Sequence, residues 1–256
     1  MSNKESSNKE LSNKELSNKE LSNKELSNKE LSNKELSNKE LSNKELSNKE
    51  LSNKELSRNV KKGIYCLALI LILLTIDQII KVSVKTNMAL YDEIYIFDWF
   101  RIRFIENNGM AWGMELGSKL LLSIFRIIAV AFGCWYVWRQ IRCSASYGYL
   151  TVLSMILAGA AGNIFDSLFY GQIFTESTPF AVSQLTAFGE GYAPMLMGKV
   201  VDMFYFPIID TVLPTWIPIW GGDHFVFFSP IFNFADACIS VAVIVFIIFF
   251  REKIKS

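Results

Sequence analysis

The chain has 256 residues, and residues 2–56 are eleven copies of a five-residue unit, Ser-Asn-Lys-Glu-Leu, with Ser6 in place of Leu in the first copy. Beyond this tail lie 15 basic and 14 acidic residues among 199, and about 60% of that remainder is apolar, well above a soluble domain. The neutral balance excludes the basic footprint of a nucleic-acid binder. The apolar content argues against a soluble globular enzyme, and the single histidine, His224, excludes most histidine-based triads and metal sites.

The repeat tail, taken as residues 1–57, is low in complexity. A period of five does not match 3.6, so its leucines step around a helix and build no stripe. Each Glu lies four residues before the next Lys, a favourable helical pair. Ser-Asn in every unit opposes this by competing for backbone hydrogen bonds. The tail is expected to be disordered or a flickering helix without a core. It has no leading apolar stretch and does not read as a signal peptide.

Residues 58–256 carry four apolar segments, at about 63–84, 119–138, 147–170 and 231–250. Each approaches the roughly 20 residues that cross a bilayer core. Basic residues flank them at Arg58, Lys61 and Lys62, at Arg139 and Arg142, and at Arg251, Lys253 and Lys255. All three clusters fall on one side of a four-span chain, which the positive-inside rule makes cytoplasmic, with both termini inside. Residues 85–118 and 171–230 then face outward. Phe100 to Phe104 alternates apolar and polar residues, the period of a half-buried strand. The segment 171–230 is rich in Pro, Phe and Tyr and holds Trp216 and Trp220. The fold expected is an all-α membrane bundle of four spans with a small strand-rich extracytoplasmic layer. Cys66, Cys134, Cys143 and Cys238 have no metal-ligand spacing and read as buried apolar side chains.

The polar residues of the spans fall at one depth. Asp77 lies late in the outward-going first span, Asn163 and Asp166 late in the third, and Asn233 and Asp236 early in the returning fourth. Asn163 with Asp166, and Asn233 with Asp236, are three apart and share a helix face. Intramembrane carboxylates are costly and read as functional by default. The bland alternative is that such pairs tie helices together, and Asp77 with Lys81, four apart, reads first in that way. Asp202 sits among apolar neighbours, a setting that raises a carboxyl pKa. Two close carboxylates share a proton, so that one serves as base and the other as acid. That chemistry activates water without Ser, Cys, His or metal. A Ser-Lys scheme has Lys81 and Lys199 but no prominent serine beside them.

Five short blocks occur in order: Asp77-Gln78-x-x-Lys81, Asn107-Asn108-Gly109-Met110-Ala111-Trp112, Gly159-Ala160-Ala161-Gly162-Asn163-Ile164-Phe165-Asp166, Val200-Val201-Asp202 and Phe232-Asn233-Phe234-Ala235-Asp236. Together they resemble the motifs of the lipoprotein signal peptidases, the signal peptidase II family. The resemblance implies an intramembrane aspartic endopeptidase of the bacterial inner membrane, its site near the extracytoplasmic face. Such an enzyme removes the signal peptide from a prolipoprotein just before its lipid-modified cysteine. It implies no cofactor or metal, and as partners lipid-modified prolipoproteins and membrane lipids. Asp202 and Asp236 become the catalytic pair, supported by Asn107, Gly109, Asn163, Asp166 and Asn233, with Asp77 and Lys81 organising the site.

One departure stands out. The family usually has Arg after the Asp of the Asn-x-x-Asp block, and here it is Ser167; Arg101, Arg103 or Lys199 is then the substitute cation, or Asp166 is protonated. The stretches between Asn163 and Asp202 and between Asp202 and Asp236 are longer than in compact members. Two rivals stay open. A small transporter or proton channel would use the same Asp and Lys residues as a relay, although they cluster at one level and the second span reads as dry. An envelope scaffold would use them only for helix packing. Within the peptidase reading, Asp166 competes with Asp202 for the dyad.

Overall fold

The computed structural model describes residues 2–109 and 119–254, and divides into two compact units, Met1–Arg58 and Asn59–Ser256. Of the five sequence blocks, Met110, Ala111 and Trp112 lie outside the described residues.

Helix α1 is Ser2–Asn87. In the first unit the repeat is helical. Its Glu and Lys residues stand four apart throughout, which favours helix, while leucines such as Leu31 and Leu41 are exposed and pack on nothing in the unit.

In the second unit α1 is followed by β1 (Glu93–Phe97), β2 (Phe100–Asn107), α2 (Lys119–Arg142), α3 (Tyr147–Phe165), a π-helical turn Asp166–Tyr170 and the short α4 (Gly171–Ile173). Then come β3 (Val200–Tyr205), β4 (Ile209–Val212), β5 (His224–Phe227), β6 (Ile231–Phe232) and α5 (Phe234–Phe249). The apolar part of α1, α2 and the run Tyr147–Ile173 are each long and apolar enough to cross a membrane. Their outward faces carry Ile64, Ile79, Leu121, Phe125 and Phe132, a surface that only an apolar solvent covers well. The fourth apolar segment differs from its expected bounds. Ile231 and Phe232 are strand, Asn233 caps the helix, and α5 has 16 residues; at 1.5 Å per residue that is about 24 Å, less than a hydrocarbon core of about 30 Å.

The strand-rich layer is real. A four-stranded antiparallel sheet runs β1-β2-β3-β6, and β4-β5 form a separate hairpin. The β2–β3 register shifts between Ile102 and Ile105, so that Ile105 faces Asp202 and Asn107 faces Val200. Such a bulge re-aims side chains on a strand.

Two apolar cores bracket the polar residues. One gathers Cys66, Val137, Tyr149, Leu150 and Leu157, with Phe246 and Phe250 packed on it. The other joins the sheet to the helix ends through Met88, Phe104, Tyr170, Phe174, Val201 and Met203. Cys66 and Cys238 are buried as expected, whereas Cys134 and Cys143 are exposed on the protein surface.

Candidate active site

Between those cores, side chains from α1, β2, α3, β3 and α5 meet in one hydrogen-bonded cluster. Lys81 is its cation. Its Nζ lies 2.9 Å from Asp77 and 2.8 Å from Asp166, and donates to Asn163 Oδ1 at 2.9 Å. All three charged groups are buried. The turn Asp77 to Lys81 is one helical step, and Asn163 to Asp166 are three apart on α3, so two short sequence motifs interlock along facing helices.

Close packing makes this possible. A Cβ on Gly162 would lie 2.6 Å from Asp77 Oδ2 and 3.3 Å from the Ala235 methyl, so only glycine lets α1, α3 and α5 approach here. Asp77 Oδ1 accepts the Ala235 N–H at 3.0 Å, in the first turn of α5. The positive end of that helix favours the carboxylate.

Asn233 starts α5 and organises the rest. Its Oδ1 accepts the Asp236 N–H at 3.0 Å while Asp236 Oδ2 faces the Asn233 N–H at 3.4 Å, a reciprocal capping box. Its Nδ2 donates to Asp202 Oδ1 at 2.6 Å and to Asn163 Oδ1 at 3.0 Å. Asn163 Nδ2 donates to Asp236 Oδ1 at 2.8 Å. Asn107 Nδ2 donates to Asp202 Oδ2 at 3.2 Å, and Asn107 Oδ1 accepts the Gly109 N–H at 2.8 Å. One asparagine thus touches both Asp202 and Asp236, and among the described residues every donor on that pair is an amide.

Asp202 is 2% exposed, whereas Asp236 is half-buried. Burial first, and then the charge of Asp236, push the Asp202 carboxyl up to about 7.

Asp166 stands apart from this pair. It is held by Lys81, by Gln78 Nε2 at 3.0 Å and by the Val201 N–H at 3.4 Å, so it belongs to the ion cluster. The cation for Asp166 is therefore Lys81. Arg101 instead pairs with Glu93 and Asp210, Arg103 with Glu93, and Lys199 with Glu106 and Glu176. Ser167 turns back to the Asn163 carbonyl at 3.1 Å. Lys85, Glu106 and Ser177 form a second buried cluster beneath the sheet.

Sequence reading gave no role to three residues. Gln78 bridges Asp77 and Asp166 and accepts from Tyr170 at 3.0 Å; its place beside Asp77 was its only signal. Tyr170 sits in the π turn, which no local pattern announced. Arg126 breaks the supposedly dry second span, and its charge within an apolar run was a legible signal.

The fold and cluster define a membrane protein whose helices and sheet bury carboxylates among amide donors. A family model described as signal peptidase (SPase) II matches residues 69–251. The lipoprotein signal peptidase of Porphyromonas gingivalis is 48% identical over 198 residues, 77% of this chain and 87% of that protein. That of Amoebophilus asiaticus is 34% identical over 194 residues, 72% of this chain and 77% of that protein. A solved bacterial membrane enzyme overlays with a TM-score of 0.47 at 24% identity, covering 72% of this chain and 90% of that one. The chain belongs to the signal peptidase II family and is a bacterial membrane protein.

Proposed function

We propose that the chain is an intramembrane aspartic endopeptidase that removes the signal peptide from prolipoproteins before the lipid-modified cysteine, with Asp202 and Asp236 as the catalytic pair. The observation that carries this reading is Asn233, which binds Asp202 through its side chain and Asp236 through its capping box. Two carboxylates meeting on one asparagine, with no cation in contact among the described residues, are suited to share a proton.

In the reaction, the ionised member takes a proton from water, and the resulting hydroxide attacks the scissile carbonyl carbon. The protonated member gives its proton to the carbonyl oxygen. Collapse of the tetrahedral intermediate then breaks the C–N bond as the leaving amine is protonated. Asn163, Asn107 and Gly109 orient the pair, while Asp77, Lys81 and Asp166 hold the helices that carry it.

The four-span bundle, with α5 as fourth span, both termini cytoplasmic and the site at the extracytoplasmic face of the inner membrane, belongs to the same proposal. It is supported by the basic residues at Lys62, Arg139 and Arg142 and by the sheet lying at the opposite helix ends. The transporter reading has no support from the relatives, which are lipoprotein signal peptidases. Purified protein converting a lipidated precursor, with Asp202→Asn and Asp236→Asn inactive, tests the assignment. Near-normal turnover in either variant sinks the pair.

A further inference from the structure

Arg126 is the only charged residue of α2 between Lys119 and Arg139. A charged side chain within an apolar span is expensive and calls for a partner. Other cations nearby are paired: Lys81 is held by Asp77 and Asp166, and Lys85 and Lys199 by Glu106, while Lys119 donates to the amide oxygen of Asn108. Among the described residues Arg126 has no ion-pair partner within 4.0 Å, although Asp236, Asp166 and Asp202 are the carboxylates whose charges act on it.

Its position is fixed by packing. Arg126 is half-buried. A Cβ on Gly109 would lie 3.5 and 3.6 Å from its two terminal nitrogens, so the guanidinium lies beside Gly109. Gly109 has φ +89°, and its N–H is bound by Asn107, which itself donates to Asp202. One turn earlier on the same face of α2, Ser123 Oγ donates to the Leu196 carbonyl at 2.8 Å, fixing the loop that leads into β3 against this helix. The face of α2 that carries Arg126 is therefore turned toward the strands that carry Asn107 and Asp202.

We propose that Arg126 is a substrate-binding residue, its guanidinium holding carbonyl oxygens of the extended precursor segment beside the scissile bond. This rests on the peptidase reading above. A guanidinium offers five N–H donors in a fixed fork and no acceptor. Placed beside an acid pair whose own oxygens are taken by amides, it has donors to spare for a ligand rich in neutral acceptors, and a peptide backbone entering from the membrane is such a ligand. Arg126 adds binding there without neutralising the pair by direct contact.

The test measures binding of a labelled lipidated precursor in the Asp202→Asn background, in neutral detergent, where precursor is held but not cut. Adding Arg126→Gln raises Kd by roughly 10-fold to 100-fold, the loss of a charged hydrogen bond. Arg126→Lys, which keeps the charge but not the fork, gives a smaller rise. In the otherwise native protein the same changes raise KM more than kcat falls, with thermal unfolding unchanged. An unchanged Kd in both variants overturns the proposal, and so does an effect confined to anionic phospholipid vesicles, which would make a lipid phosphate the acceptor. If Arg126→Gln does not fold, Arg126→Lys decides alone. Normal turnover by Asp202→Asn itself would instead sink the peptidase reading and leave the Kd comparison to judge Arg126.

Discussion

Two carboxylate pairs lie side by side in this protein and are treated in opposite ways. Asp77 and Asp166 share Lys81, which contacts both, and Gln78, Ala235 and Val201 satisfy their remaining oxygens. Among the described residues Asp202 and Asp236 share no cation; asparagine side chains and one backbone N–H are their donors. A carboxylate bonded to a buried ammonium ties its helix to the one that carries the cation. Burial and the neighbouring Asp236 charge instead push the Asp202 carboxyl up to about 7. In the proposed reading the first pair ties the helices together and the second carries the chemistry.

The contrast breaks if the wrong pair proves essential for turnover. Asp202→Asn and Asp236→Asn are expected to lower kcat by at least about 10²–10⁴-fold, the contribution of a general acid or base, while the folded protein is recovered at normal yield. The measurement is single-turnover cleavage of a lipidated precursor.

Lys81→Met attacks the other pair. It strands two buried carboxylates, and breaking such a pair costs about 3–5 kcal/mol. The variant is expected to lose folded yield and to unfold at lower temperature, whatever its residual activity, as a thermal melt in detergent would read. Asn233→Ala touches both sets. Loss of the cap costs about 0.5–2 kcal/mol, and loss of the amide between the two carboxylates lowers kcat beyond what that destabilisation explains.

The pH dependence sharpens the comparison. The Asp202 carboxyl titrates at about 7 in the folded protein, against about 3.9 in an unfolded chain. The folded state therefore binds its proton more tightly, and stability falls as pH rises from the lower value to the upper one. Asp202→Asn removes that loss, so its melting temperature should exceed that of the native protein at pH 8 and match it at pH 4. The singly protonated pair is also lost above about 7, so kcat/KM should fall along a basic limb centred there. The smallest effect belongs to the tail: removing residues 2–56 should leave kcat/KM within about twofold, since a polar terminal repeat without a core tolerates change.

Much of this was legible before any coordinates. Depth alone grouped Asp77, Asn163, Asp166, Asn233 and Asp236, because helical rise turns sequence position into height in a bilayer. Spacing of three and four placed each pair on one face, and the strand period announced β2. Other features depend on tertiary contact. The cation for Asp166 is Lys81 from another helix, where sequence offered Arg101, Arg103 or Lys199; all three lie on or beside the sheet and are claimed by acidic residues there. The end of α5 at Asn233 was missed because a capping residue inside an apolar run reads as part of the span. The tail read as disordered or a flickering helix, with Ser and Asn opposing the Glu–Lys pairs, and helix α1 runs through it. Arg126 was passed over because hydropathy averaging hides one charge among leucines and isoleucines.

The most direct test of the central claim is the titration of the acid pair itself, followed by carbonyl-region difference spectroscopy on the native protein and on Asp202→Asn and Asp236→Asn. The account predicts one carboxyl group that keeps its proton to about pH 7 in the native protein and is absent from the Asp202→Asn spectrum, in step with loss of precursor cleavage. Full ionisation of both groups by pH 5, with cleavage intact, would contradict it.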